Sequence, residues 1–320
     1  MSRIDNQNDM RYSQLPLAGL RVGISGAVPE RQYWGSVPDL ERLILSFISQ
    51  LSALILKYGG GVVHGSQPLF TPVLAEEARR HQTTSRSLTL IASQLWGKLP
   101  PVADRAAKLA NASVILTPRI GEADVNDPDT RNKSLTAMRL TLAQKIDVLV
   151  AVGGKLHHET GLNAGVLEEL TYARRRQVPC FIVAGFGGAA GSLEQEIILE
   201  FSAGNLLGAV DSGDRTPNRT TLDMATWTDT IDDYVGKLLL HLVKNRDTFL
   251  KSKEESAEIQ FEERSFLDKT LSAFGFGDPY VVRVARVDVE SVERSLQLFD
   301  RLRRAMSQEN ISEVKNILHS

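Results

Sequence analysis

The stretch Asp147–Ser192 begins with Asp147-Val-Leu-Val-Ala-Val-Gly153-Gly154-Lys155, an apolar run of strand length that ends in two glycines. A helical run that opens with Gly165-Val-Leu-Glu168-Glu169 follows, and then a second apolar strand ends in Gly185-Phe-Gly187-Gly188. Glycines at the end of a buried strand let the backbone approach a ligand closely, and the next helix N-terminus offers N–H groups to an anion. The stretch therefore predicts a place for a nucleotide phosphate.

The same alternation of strand and helix extends outward from this stretch. Apolar runs bounded by turn residues predict strands at Arg21–Gly26, Val62–Ser66, Leu88–Ser93, Ser113–Thr117, Asp147–Val152 and Cys180–Ala184. Helical spacing predicts helices at Asp39–Tyr58, Pro72–His81, Val102–Ala110, Leu135–Lys145 and Ala164–Arg176. Alternating strands and helices indicate an α/β fold, a Rossmann-like parallel sheet with helices on both faces. Ligands of such sheets bind beyond the carboxyl ends of the strands.

Changes in composition along the chain predict three regions. Residues 1–18 are expected to be a flexible N-terminus, 19–245 a nucleotide-binding domain and 246–320 a mostly helical appendage. The appendage carries an apolar stripe that needs a partner surface, formed by Val292, Leu296, Phe299 and Leu302. We expect this stripe to pack between subunits of a homo-oligomer; the competing placement is against its own domain.

The composition of the chain argues against several classes of function. The net charge of −2 leaves no global basic surface for nucleic acid. Cys180 is the only cysteine, so an internal disulfide is excluded, and its apolar neighbours indicate a buried core residue. Since the first residues lack an apolar signal core and no run reaches the length of a membrane span, we expect a soluble cytoplasmic protein.

Several candidate ligand-binding residues follow the ends of the early strands. A glycine, a hydroxyl or an arginine at these positions can meet a phosphate or a ribose. These candidates are Ser25, Gly26, His64, Gly65, Ser66 and Arg119. Arg139 is a further candidate on the helix that leads into the strand Asp147–Val152, where it could point at the site or into solvent. Each also has a plain structural interpretation, as a capped turn or as an arginine facing solvent. Neither Gly-x-Gly-x-x-Gly nor Gly-x-x-x-x-Gly-Lys-Ser/Thr occurs, which argues against a dinucleotide fingerprint and against a Walker NTPase.

The other candidates belong to the opening stretch. They are Gly153, Gly154, Lys155, Gly165, Glu168, Glu169, Gly187 and Gly188. Carboxylates at the start of a helix are favoured by its dipole, and they could also bind ribose hydroxyls or assist cleavage of an N-glycosidic bond. His157-His158-Glu159 does not predict a metal site, because adjacent histidines point in different directions and no third ligand has suitable spacing.

These residues resemble the SLOG superfamily, named for the Smf/DprA and LOG proteins. The LOG phosphoribohydrolases carry Pro-Gly-Gly-x-Gly-Thr-x-x-Glu after an apolar strand that begins with Asp. Asp147–Gly154 resembles that strand, and Gly165-Val-Leu-Glu168-Glu169 resembles the rest of the motif, so Glu169 falls on the family's catalytic glutamate. The second residue of the LOG arginine-lysine pair corresponds to Arg139.

Departures from the LOG motif point to another branch of the superfamily. Val152 replaces the proline, Val166 the threonine and Met138 the arginine, and a loop separates the two halves of the motif. This pattern is more similar to the sensor branch, which includes the SLOG domains of bacterial Thoeris defence effectors and of TRPM channels. The resemblance implies a cytosolic sensor that binds an NAD- or ADP-ribose-derived nucleotide, with no other cofactor, and that signals through a homo-oligomer or a protein partner.

Two alternatives to a sensor stay open. The first is a LOG-like nucleoside or nucleotide N-glycosidase in which Glu169 stabilises the ribosyl centre or activates water. The second is a structural subunit whose pocket is vestigial.

Overall fold

The computed structural model of the chain describes residues 15–34, 39–83, 86–97, 99–122, 124–156, 162–191, 224–251, 261–263, 281–308 and 310–319. Its strands are β1 (Arg21–Ala27), β2 (Gly61–His64), β3 (Leu88–Ser93), β4 (Ser113–Thr117), β5 (Val148–Gly153), β6 (Cys180–Val183), β7 (Phe261–Glu263) and β8 (Val281–Ala285). Its helices are α1 (Leu40–Lys57), α2 (Thr71–His81), α3 (Pro101–Ala110), α4 (Pro128–Lys145), α5 (Gly165–Arg175), α6 (Gly188–Gly191), α7 (Met224–Lys251), α8 (Val289–Ser307) and α9 (Ile311–His319).

The strands form one sheet in the order β6-β5-β1-β2-β3-β4-β8-β7. All neighbouring pairs are parallel except β7 with β8. The chain moves outward from β1 to β4 and then returns through α4 to β5, on the other side of β1. This reversal makes the carboxyl ends of β1 and β5 the topological switch point of the sheet, where α/β proteins bind their ligands.

Helices cover both faces of the sheet, as the sequence predicted. One apolar core joins the sheet to α1, α2, α3 and α7, and it includes the fully buried Phe47 and Phe181. The other joins the opposite face to α4, α5, α8 and α9, and it includes the fully buried Leu142 and Phe299. The Rossmann-like α/β class is therefore confirmed. In the described ranges, no helix has a stretch long and apolar enough to cross a membrane.

Helix α4 is longer than its apolar spacing predicts. The sequence pattern indicates a start at Leu135, whereas the helix begins at Pro128 after Asp127, whose carboxylate accepts a hydrogen bond of 2.8 Å from the Thr130 amide. The added turns bury hydroxyl side chains, such as those of Thr130 and Ser134. The spacing of apolar residues does not reveal these turns. The capping residue Asp127 and the proline at the first helical position do indicate them.

The C-terminal segment is built into the same structure. Strand β8 pairs with β4, and α7 continues through the expected boundary at residue 245. Val292, Phe299 and Leu302 are fully buried against other parts of the same chain, where α8 packs on α4. The prediction that this stripe packs between subunits was wrong. Because β8 extends the sheet beyond β4, the chain that follows it lies back over α4 and buries the stripe there.

Phe299→Ala should lower the free energy of unfolding by about 3–5 kcal/mol, because it removes a fully buried aromatic ring from the core. Urea unfolding followed by circular dichroism measures this loss. Leu240→Ala is the matched control, since Leu240 is 54% exposed and its truncation should change little. A loss for Phe299→Ala that varied with protein concentration would instead place this ring at a subunit interface.

Candidate functional site

A cleft of about 440 Å³ opens beyond the carboxyl ends of β1, β2 and β3, between these strand ends, α4 and the start of α5. We call it the switch-point cleft. Its lining consists of Ile24, Gly26, Ala27, His64, Gly65, Ser66, Gln67, Pro68, Ala92, Ser93, Trp96, Pro100, Leu135, Met138, Arg139, Lys155, Gly165, Val166 and Glu169. The volume and the mixture of many apolar with few charged groups are typical of a small-molecule site.

The cleft brings together about half of the residues that the sequence singled out. Those that line it are Gly26, His64, Gly65, Ser66, Arg139, Lys155, Gly165 and Glu169. Those outside its lining are Ser25, Arg119, Gly153, Gly154, Glu168, Gly187 and Gly188. The sequence placed most of them at strand ends or at a helix start, and Arg139 within a helix, but it could not show which side chains point into a common space. His157, His158, Glu159 and Gly161 lie outside the described residues.

His64 holds the turn after β2. Its Nδ1 donates to the Ile24 carbonyl at 2.8 Å, and its Nε2 accepts from the Gln67 amide at 3.1 Å. Burial lowers the pKa of His64, so the neutral ring with its proton on Nδ1 fits both contacts. His64 therefore links the turn after β2 to β1 and forms part of the cleft wall. Both of its ring nitrogens already have protein partners.

Ser66 follows this histidine turn and has an unusual backbone conformation. Its φ of 55° lies in the left-handed region, which serine seldom adopts. Its Oγ is buried and has no hydrogen-bond partner among the described residues, although the residue lines the cleft. Because a buried hydroxyl without a partner is costly, Ser66 is suited to donate to a bound ligand.

Glu168 is enclosed by protein partners. Its carboxylate is fully buried and accepts hydrogen bonds from the Arg139 guanidinium, from the Thr136 hydroxyl and from the Tyr172 hydroxyl, the last at 2.7 Å. With both oxygens occupied and no part in the cleft lining, this side chain does not fit the expected contact with ribose hydroxyls. The sequence places two adjacent carboxylates in one helical turn. In the structure, the Glu168 carboxylate points into the interior between α4 and α5.

Arg139 lies between Glu168 and the cleft. A Cβ atom on Gly165 would come within 2.8 Å of the Arg139 Nη2 atom, so the absence of a side chain there admits the guanidinium over the start of α5. The Nε atom of Arg139 is buried and has no hydrogen-bond partner among the described residues. The arginine is thus held by Glu168 at one nitrogen and retains donor capacity beside the cleft.

Glu169 is the carboxyl group that faces the cleft. Burial raises its pKa, the Glu168 charge acts in the same direction, and the charge of Arg139 and the Ser25 hydroxyl oppose both. The Ser25 Oγ nevertheless makes no hydrogen bond of ordinary geometry to a described residue. Desolvation is the largest of these effects, so Glu169 retains its proton at a higher pH than an exposed glutamate does.

The glycines at the ends of β5 and β6 pack against each other. The Gly154 amide donates to the Ala27 carbonyl at 2.7 Å, and the Gly154 carbonyl accepts from the Ala189 amide at 3.0 Å. Gly153, Gly154, Gly187 and Gly188 all have positive φ. A side chain at Gly188 would collide with the Gly154 carbonyl. Close packing of the backbone at these positions therefore accounts for the glycines. Contact of these four residues with a ligand stays a prediction.

Trp96, Gln67 and Ser93 were missed by the sequence reasoning, although all three line the cleft. Trp96 is 52% exposed and stands three residues after the end of β3. An aromatic residue just past a parallel strand was a usable signal, because that is the edge where ligands bind. The described residues contain no group of three histidine, cysteine or acidic side chains arranged to hold a metal.

The fold and the cleft define an α/β protein with a cleft at the carboxyl edge of a Rossmann-like sheet. A family model described as SLOG cluster2 matches residues 39–203, just over half of the chain, and the chain belongs to the SLOG superfamily. Membership suggests a nucleotide-related domain. No curated protein matches the chain at a significant level.

Glu168→Gln should lower the free energy of unfolding by about 3 kcal/mol at neutral pH, because it leaves the buried Arg139 charge without its counter-ion. Glu169→Gln, the same substitution at the next residue, should cost little or stabilise the fold, since burial disfavours the charge that it removes. Urea unfolding measures the change in the free energy of unfolding for each variant. Equal losses would show that the two carboxylates do not have the different roles assigned to them.

Proposed function

We propose that the switch-point cleft binds an NAD- or ADP-ribose-derived nucleotide and that the protein is a sensor of that ligand. The observation that carries the proposal is the position of Arg139 and Lys155 in one cleft with the first turn of α5. Residue Ala164, at the N-cap position of α5, makes no side-chain hydrogen bond to the helix. Helix N-termini attract anions through their N–H groups and dipole, and the Lys155 ammonium and the remaining donors of Arg139 strengthen that preference.

The polar groups suggest how a nucleotide would lie in the cleft. A phosphate fits the start of α5, where the Arg139 guanidinium lies over Gly165 and Lys155 adds a charge that solvent can reach. Glu168 offsets the charge of Arg139, so Arg139 contributes donors in a fixed position more than net charge. The Ser66 hydroxyl and the Glu169 carboxyl offer partners for the ribose hydroxyls.

The sensor role extends beyond ligand binding. We propose that occupancy of the cleft is passed to a homo-oligomer or to a protein partner in the cytoplasm, in antiviral defence. This part follows from the resemblance to the sensor branch of the superfamily. The stripe on α8 does not provide the assembly surface, because its own domain covers it.

ADP-ribose or NAD, at a hundredfold excess over its dissociation constant, should stabilise the fold by about 2.7 kcal/mol. Thermal unfolding with NAD, AMP and ADP-ribose measures this effect. Lys155→Gln should reduce it, because a charge at the phosphate position is lost. Lys57→Gln, at an exposed lysine that ends α1 outside the cleft, should leave it unchanged. If none of these compounds shifts the transition, the proposal fails for them.

An N-glycosidase is the second candidate, and the raised pKa of Glu169 inside the cleft favours it. A carboxyl whose pKa is raised keeps its proton to a higher pH and can serve as a general acid, and its ionised form can activate water. If the protein is a hydrolase, Glu169→Gln should abolish release of the base from NAD or AMP while binding largely persists. If it is a sensor, the unmodified protein releases no base. Chromatography of the incubated nucleotides separates the two.

A further inference from the structure

Trp96 is held at the edge of the switch-point cleft by its own turn. The Ser93 Oγ accepts a hydrogen bond of 3.2 Å from the Leu95 amide, and Leu95 is fully buried beneath the turn. Gly97 follows with a φ of 80°, a conformation that glycine adopts readily. These features order the backbone on either side of Trp96, which lines the cleft and remains 52% exposed. A tryptophan has only two side-chain torsions, so its large apolar face meets a ligand at a low cost in conformational entropy.

The cleft around Trp96 is apolar, whereas its other end is charged. Helix α4 packs against the turn that carries Trp96. The neighbouring wall is mostly apolar, with Pro68, Ala92, Pro100, Leu135 and Met138, and it also contains the uncharged polar residues Gln67 and Ser93. Among the ionisable groups of the lining, Lys155 lies on the loop that follows β5. The Glu169 carboxyl lies beside Gly65, just after the end of β2, where its Oε1 atom would be 3.5 Å from a Cβ atom on that glycine.

The strand order separates these two ends. Trp96 follows β3 and Lys155 follows β5, and the order β5-β1-β2-β3 places three strand spacings between them. At about 4.8 Å for each spacing, the two ends are about 14 Å apart along the sheet edge. A ligand that fills the cleft therefore places a charged group at the β5 end and an uncharged group of low polarity at the β3 end.

We propose that Trp96 determines specificity for a nucleobase, by stacking its indole on the base of a ligand whose phosphate lies at the start of α5. The inference rests on the proposed function and deepens it, since it names the part of the ligand that the apolar end recognises. Bases stack on aromatic side chains through their π faces, so this contact requires a base but tolerates different bases. A sugar phosphate without a base would bind without using Trp96.

Calorimetric titration of the full-length protein with AMP, ADP-ribose and ribose 5-phosphate tests the proposal. Trp96→Ala should weaken nucleotide binding by about tenfold or more, the loss expected for one stacked base. Trp96→Phe should retain most of the affinity, and neither variant should change the binding of ribose 5-phosphate. Leu109→Ala is the control, because Leu109 is an exposed apolar residue, at 46%, outside the cleft lining. Nucleotides should also quench tryptophan fluorescence in the unmodified protein but not in Trp96→Phe.

The outcomes separate this inference from the proposed function. If the unmodified protein binds neither nucleotide, both fail. If it binds a nucleotide and Trp96→Ala binds it equally well, the stacking inference fails while the nucleotide site stands. Weaker binding of ribose 5-phosphate by Trp96→Ala, to the same degree as of AMP, would also overturn it, because the tryptophan would then support the cleft as a whole.

Discussion

The buried ion pair of Arg139 with Glu168 is the interaction on which the site depends. It joins α4 to the first turn of α5, and the hydroxyls of Thr136 and Tyr172 complete the partners of the carboxylate. Two charges buried together cost desolvation free energy, which a well-formed set of hydrogen bonds can offset. The pair fixes the guanidinium beside the cleft, and Gly165 has no side chain that would displace it. The position of α5, the position of the Arg139 guanidinium and the lack of a side chain at Gly165 therefore depend on one another.

Two consecutive glutamates have opposite environments because they stand on one helical turn at the edge of the cleft. Glu168 points between α4 and α5, where three donors hold its carboxylate. Glu169 points toward the cleft, where burial raises its pKa and the opposing effects of Arg139 and Ser25 are smaller than that of desolvation. One carboxylate therefore fixes the Arg139 guanidinium, and the other lines the cleft. The two environments differ only because the two side chains point in different directions, since both residues are glutamates on the same helix.

Much of the fold could be predicted from residue spacing. Strands β3 and β4 have the bounds that their apolar runs indicate, because short runs between turn residues have few other solutions. The start of α4 was missed, since its first turns bury hydroxyl groups that carry no apolar period. The placement of α8 was also missed, because an apolar stripe shows that a partner surface is needed but not which one.

The α/β class and the edge of the sheet where a site is expected can be inferred from the sequence, because alternating strands and helices form a parallel sheet with one carboxyl edge. Which side chains share a cavity depends on how the elements pack. In the folded chain Glu168 points between α4 and α5, Glu169 points toward the cleft, and Trp96 reaches the cleft from a turn that carries no motif. The physical reason is that side-chain direction and the meeting of distant segments depend on packing between helices and sheet, which local residue patterns do not encode.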